Sequence, residues 1–232
     1  MELAGGTASW NGRLIAPIAI YGAGGLGREL LQVLRDIGTP CAGFVVDPRY
    51  AAPDAVDGVP VHRSAETVAV DPAVRFVIAL GDPVARARVA AELEGLIGSR
   101  FATIIHLRAW IGGNVSIGEG SMVFGLTSIS ADASLGRHVL VNPGTTIAHD
   151  CRLADFATLG PSCALGGGVI VEEGAELGIG VRVAPRVHIG RRAVVGAGAV
   201  CIRPVPIETT VVGIPAHPII RRGRPAQRAT TE

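Results

Sequence analysis

An unbroken six-residue rhythm runs from residue 105 to residue 200. Every sixth position from Ile105, through Ile111, Ile117, Val123 and Ile129 to Val195, is Ile, Leu or Val, sixteen positions in all. Two places before each of the later ones stands a small or β-branched residue, such as Ser121, Thr145, Cys151, Ala157 or Val181. A period of six fits neither an amphipathic helix nor a long flat strand. Hexads instead wind short strands around a prism, with one aliphatic and one small residue per hexad pointing inward. Three hexads close one coil, so this stretch predicts about five coils stacked ~4.8 Å apart, with residues 18 apart in one column.

That register fixes where ionisable residues point. The run TTIAHDC, residues 145–151, puts His149 and Asp150 side by side among small and aliphatic neighbours. Cys151 takes the small inward position, so His149 and Asp150 fall on a corner and face outward. Their column neighbours at His149, 18 residues away, are Ala131 and Gly167, which leave room for a ligand. A neutral imidazole suits general base work near pH 7, and an adjacent carboxylate can fix its tautomer.

Ahead of the repeat, APIAIYGAGGLGRELLQVLRDIG reads as a buried strand, a glycine turn and a helix. Gly22, Gly24 and Gly27 satisfy GxGxxG, Gly25 lies within the same turn, and Asp47 ends a second strand about twenty residues on. Glycines let backbone approach phosphate oxygens, and the helix start offers free N–H groups. A further strand leads into Gly81, Asp82 and a helix carrying Arg86 and Arg88, which makes a polar crevice at the carboxyl edge of a small parallel sheet. A dinucleotide fold needs two such halves and only about one fits, so a mononucleotide with a sugar attached suits the room better. The expected layout is a loose leader over 1–16, a Rossmann-like domain over 17–104, a parallel β-helix over 105–203 and an extension with a tail over 204–232.

Composition narrows the partners. With 21 basic against 20 acidic residues the net charge is +1, and no global field draws the chain to nucleic acid or a membrane surface. Small molecules and copies of itself remain. No stretch reaches the ~20 apolar residues of a membrane helix, and the first sixteen residues lack the pattern of a signal peptide. The four cysteines form no CxxC pair, which predicts a reducing cytosol rather than a disulfide framework or zinc site. His106, His138 and His188 share no column with His149 or one another, so no metal is expected.

The motifs YGAGGLGREL, GFVVD, IALGDPVAR, the hexads, AHDC and VVGIPAHPI, spread over residues 17 to about 220, together resemble the bacterial sugar acyltransferases of the NeuD and PglD type. The resemblance implies a left-handed β-helix and a homotrimer with active sites in the clefts between prisms. It implies acetyl transfer from acetyl-CoA to an amine or hydroxyl of a sugar, often a nucleotide-linked amino sugar. By the same resemblance His149 is the general base and Asp150 orients it. Asn142, Thr158 and the N–H of Gly167 serve the acyl donor. Gly22, Gly24, Gly25, Asp47, Gly81, Asp82 and Arg86 line the nucleotide-sugar site. Two departures stand out: Val46 occupies the place of a frequent first acid, and Thr158 that of a common second histidine. A sugar O-acetyltransferase and a non-catalytic nucleotide-binding trimer are the competing readings.

Overall fold

The computed structural model describes residues 16–219. The expected leader, apart from Ala16, and residues 220–232 of the expected tail lie outside the described residues. The amino-terminal domain opens with β1 (Ile18–Tyr21), α1 (Gly25–Asp36) and β2 (Cys41–Val45). A hairpin of β3 (Ala55–Val56) and β4 (Val59–His62) follows, then α2 (Glu66–Ala69), β5 (Arg75–Ile78) and α3 (Pro83–Ile97). The hairpin turns on Asp57 and Gly58, both at positive φ, the backbone that a two-residue Asp-Gly turn requires. The sheet order is β3-β4-β2-β1-β5, parallel except for the hairpin, so the strand order reverses at β1. Leu30, Leu31 and Leu34 of α1 cover one face, while Val89, Leu93 and Ile97 of α3 cover the other. Two-sided burial explains why β1 and residues 76–78 of β5 are continuous apolar runs.

From residue 104 the chain makes seventeen two-residue strands, Ile104–Ile105 to Val200–Cys201, distributed in turn over three faces. Partners are parallel and 18 residues apart, as in the series Ile129, Ile147, Leu165 and Val183 on the second face. The hexad positions form one continuous core, with Cys151, Ala157, Cys163 and Val169 filling the inward small sites. Every sixth residue from Asn114 to Gly198 has positive φ, because each corner bends through one left-handed residue. Nine of those fifteen are not glycine, at a cost on the order of 1 kcal/mol each that the hydrogen bonds between coils offset.

Thr210–Val212 joins the first face beside Val194–Val195, and His217–Pro218 folds back antiparallel upon it. The amino-terminal domain sits on the outside of this first face, where Met122, Phe124 and Leu140 enter the same apolar cluster as Ile18, Leu30 and Leu34. His106 and Asp36 add a 3.1 Å contact between the domains, and Arg137 pairs with Glu94 of α3.

Candidate active site

His149 and Asp150 stand in the turn between Thr146–Ile147 on the second face and Arg152–Leu153 on the third. Asp150 is the left-handed residue of that corner, with φ 60°, a conformation its short polar side chain tolerates better than most. Its Oδ2 lies 2.7 Å from Nδ1 of His149, and the two side chains are 69% and 65% exposed. With Nδ1 engaged, Nε2 is the atom left to accept a proton. The imidazole lies over Gly167 in the next coil: a Cβ there would stand 2.6 Å from Cε1 and 2.7 Å from Nε2. Gly167 accepts from Arg186 through its carbonyl, while its N–H has no acceptor among the described residues. The corner therefore presents a proton acceptor and a free backbone donor together, the pair that acyl transfer needs.

The carboxyl edge of the sheet holds a cavity of about 350 Å³ lined by Gly22, Gly24, Asp47, Tyr21, Tyr50 and Arg88, among others. Gly22 has φ +107°, and a Cβ on Gly27 would stand 2.0 Å from the Gly22 carbonyl oxygen, so both positions require glycine. Among the described residues no side chain caps α1 at Gly24 and no acid lies in its first turn, which leaves the first-turn N–H groups available to an anion. Asp47 is bound through both oxygens by Arg49, and that hydrogen bonding holds its carboxyl down at about 2. Burial, aided by Asp47, pushes the Tyr21 phenol up, so it stays a neutral donor.

A second cavity, also about 350 Å³, lies between α1 and the first face and is lined by Gly25, Glu29, Gly81, Asn142, Thr158 and Glu176, among others. Gly24 thus opens on one cavity and Gly25 on the other, with the start of α1 between them.

Several of the residues expected at the nucleotide-sugar site lie outside the first cavity. Arg86 is fully buried, and its fork donates to the carbonyls of Leu80, Gly81, His138 and Phe156 and to Oγ1 of Thr158. Burial pushes this guanidinium down to about 10. It lines neither cavity, and Arg88 is the α3 arginine that reaches the cavity at the sheet edge. The signal lies in α3 itself: Arg86, Val89, Leu93 and Ile97 share one buried stripe at helical spacing, and Arg88 falls off it. Asp82 is the N-cap of α3, its carboxylate accepting from the N–H groups of Val84 and Ala85, ahead of Pro83. Gly25 and Gly81 belong to the second cavity rather than the first. Thr158 is 7% exposed, and its hydroxyl is engaged by Arg86 and by the Gly81 carbonyl. Asn142 donates through Nδ2 to the carbonyl of Leu159, 2.8 Å away, on the wall of the second cavity.

Cys151 and Cys163 are buried and donate to the carbonyls of Gly166 and Gly178, and burial pushes the Cys163 thiol up to about 11. Such thiols are poor nucleophiles. Among the described residues no three His, Cys, Asp or Glu side chains gather as a metal site.

Within one chain the parts do not meet. The amino-terminal domain, both cavities and Asn142 are on the side of the first face, whereas His149 is on the corner opposite that face.

Residues 17–93 match the family model of the PglD N-terminal domain. The GDP-perosamine N-acetyltransferase of Escherichia coli O157:H7 is 30% identical over 201 residues, spanning 84% of this chain and 81% of that protein. Among solved structures, a mutant of perosamine N-acetyltransferase from Caulobacter crescentus, in complex with CoA and GDP-perosamine, is 33% identical. It superposes with a TM-score of 0.82 over 89% of this chain and 98% of its own. The acetyltransferase domain of PglB from Neisseria gonorrhoeae, in complex with acetyl coenzyme A, reaches 0.81 at 27% identity over 88% and 100%. The prism is accordingly a left-handed β-helix, and a Rossmann-like domain docked on such a prism over most of the chain shows that this protein belongs to the NeuD/PglD-type bacterial sugar acyltransferases.

Proposed function

We infer that the chain is an acetyl-CoA-dependent N-acetyltransferase of a nucleotide-linked amino sugar. His149 is its general base. The observation that carries this is the exposed His149–Asp150 pair seated on Gly167, at a corner its own amino-terminal domain cannot reach. A second copy supplies what is absent: in a homotrimer the corner of one prism faces the first-face cavity and Asn142 of its neighbour. Cyclic symmetry then completes three equivalent sites.

The nucleotide occupies the cavity at Gly22, Gly24 and Asp47, its phosphates lie on the first turn of α1, and the sugar enters the second cavity. The neutral amine attacks the thioester carbonyl, and the new C–N bond forms as Nε2 of His149 takes the amine proton. The Gly167 N–H and Asn142 hold the acyl group, and the C–S bond then breaks, releasing coenzyme A with that proton. Asp150 favours the imidazolium that forms in between. GDP-perosamine, substrate of the Escherichia coli relative by its name, is the first amino sugar to offer. No helix among the described residues is long and apolar enough to cross a membrane, and four free cysteines support a cytoplasmic setting.

Mass spectrometry of GDP-, UDP- and dTDP-linked amino sugars incubated with acetyl-CoA tests the reading. One nucleotide sugar is expected to gain a single acetyl group that resists mild alkali, and His149→Ala to lower the rate about 10²–10⁴-fold. Full activity in that variant would refute the assignment.

A further inference from the structure

Arg86 is an unusual interior residue. Its guanidinium has no accessible surface, yet among the described residues no carboxylate touches it. All of its acceptors are neutral: Nε donates to the carbonyl of His138 at 2.9 Å, Nη1 to those of Leu80 and Gly81 at 2.7 and 3.0 Å, and Nη2 to that of Phe156 and to Oγ1 of Thr158 at 2.7 and 2.8 Å. The five N–H donors of the fork are matched by five acceptors. Those acceptors belong to two bodies. Leu80 and Gly81 lie in the loop from β5 to α3, while His138, Phe156 and Thr158 lie on two successive coils of the prism. The Thr158 hydroxyl closes the ring by approaching the Gly81 carbonyl oxygen at 3.4 Å.

Apolar packing alone would hold the domains together without burying a charge. What it would lack is direction, because aliphatic surfaces slide and a planar fork with five fixed donors does not. The position of the fork matters too. Gly81 and Thr158 line the second cavity together with Gly25 and Asn142, so any rotation of the amino-terminal domain about this junction moves the start of α1 relative to Asn142.

We propose that Arg86 and Thr158 are positioning residues of the transfer reaction: they fix the height and rotation of the phosphate-loop domain over the prism, and with them the path of the sugar amine to the neighbouring His149. Neither needs to touch the reacting atoms. Arg86, buried away from both cavities, does not. The proposal rests on the function inferred above.

Two variants test it. Thr158→Val keeps the side-chain volume and removes the hydroxyl, and Arg86→Lys keeps the charge with fewer donors. Each is measured for kcat, for KM with both substrates, and for binding of GDP or the active nucleotide and of coenzyme A. Hydrogen exchange is followed over residues 25–29 and 80–86. The expected result is a kcat at least about tenfold lower, nucleotide and coenzyme A affinities within about twofold of wild type, and faster exchange in those two segments with unchanged exchange in the coils beyond residue 164. If Arg86→Lys fails to fold, Thr158→Val carries the test alone.

Wild-type kcat in Thr158→Val overturns the proposal, as does a rise confined to the KM for acetyl-CoA, which would return Thr158 to the acyl donor. A parallel fall in nucleotide binding and kcat also overturns it, since general loosening would suffice. A wild-type protein that acetylates no nucleotide-linked amino sugar is a different result: it refutes the function, whereas an unaltered variant of an active enzyme refutes only the positioning role.

Discussion

A Cβ at position 167 would crowd the imidazole of His149 at 2.6 Å, but that ring is the exposed end of a flexible side chain and can swing away. Gly167→Ala is therefore expected to lower kcat at least about tenfold while changing stability by less than about 0.5 kcal/mol, as read by steady-state rates beside denaturant unfolding. His138 makes the opposite case, stability without chemistry. Its ring is fully buried between Phe101 and Phe156, stacked on the latter at 5.1 Å, and neither nitrogen has a hydrogen-bond partner among the described residues. Burial first, then the charges of Arg137 and Arg86, push it down to about 4, against a smaller opposing effect of Glu94. An unfolded chain binds this proton near pH 6.5 and the folded one only near 4. Stability is thus fully present above about pH 6.5 and lost as pH falls from there to about 4, by on the order of 3 kcal/mol. Unfolding midpoints measured from pH 7 to 4 should show that slope, and His138→Phe should flatten it.

At the scale of elements, what could be read in advance was whatever one period decides. The hexads were legible because each sends one aliphatic and one small residue inward at fixed intervals, so the faces, the outward corner of His149 and its seat on residue 167 all followed. In α3 the helical period held the answer as well, since Arg86 shares the stripe of Val89 and Leu93 and the Asp82-Pro83 pair is a helix start. The motif nonetheless drew both residues toward the phosphate crevice. Gly25, Gly81 and Thr158 were beyond any periodicity, because their shared cavity exists only once the two domains dock. Arg88 is the cation that α3 turns toward the cavity at the sheet edge, and among the described residues only an exposed 3.7 Å pair to Glu92 holds it. Arg88→Ala is expected to weaken nucleoside diphosphate binding about tenfold by isothermal titration, with little change in unfolding midpoint.

For the whole molecule, His149 is separated from the domain on the first face, so in the trimer proposed above a single chain carries two halves of two different sites. Mixed oligomers should reveal this. Protein carrying His149→Ala and protein carrying Arg88→Ala together with Gly24→Asp, each nearly inactive alone, should regain a substantial fraction of wild-type rate after being unfolded and refolded together. Sites contained within one chain would show no recovery.

The return strand at the end of the prism has a consequence for assembly of another sort. A coil stacked on identical coils leaves its last rung with unsatisfied peptide groups, a template onto which any further rung, including one from another molecule, could grow. By crossing the first face antiparallel, His217–Pro218 breaks the repeat's direction and puts a proline where a donor would be needed. On the first face that fold-back closes an edge along which the repeat's pattern could otherwise be extended from molecule to molecule.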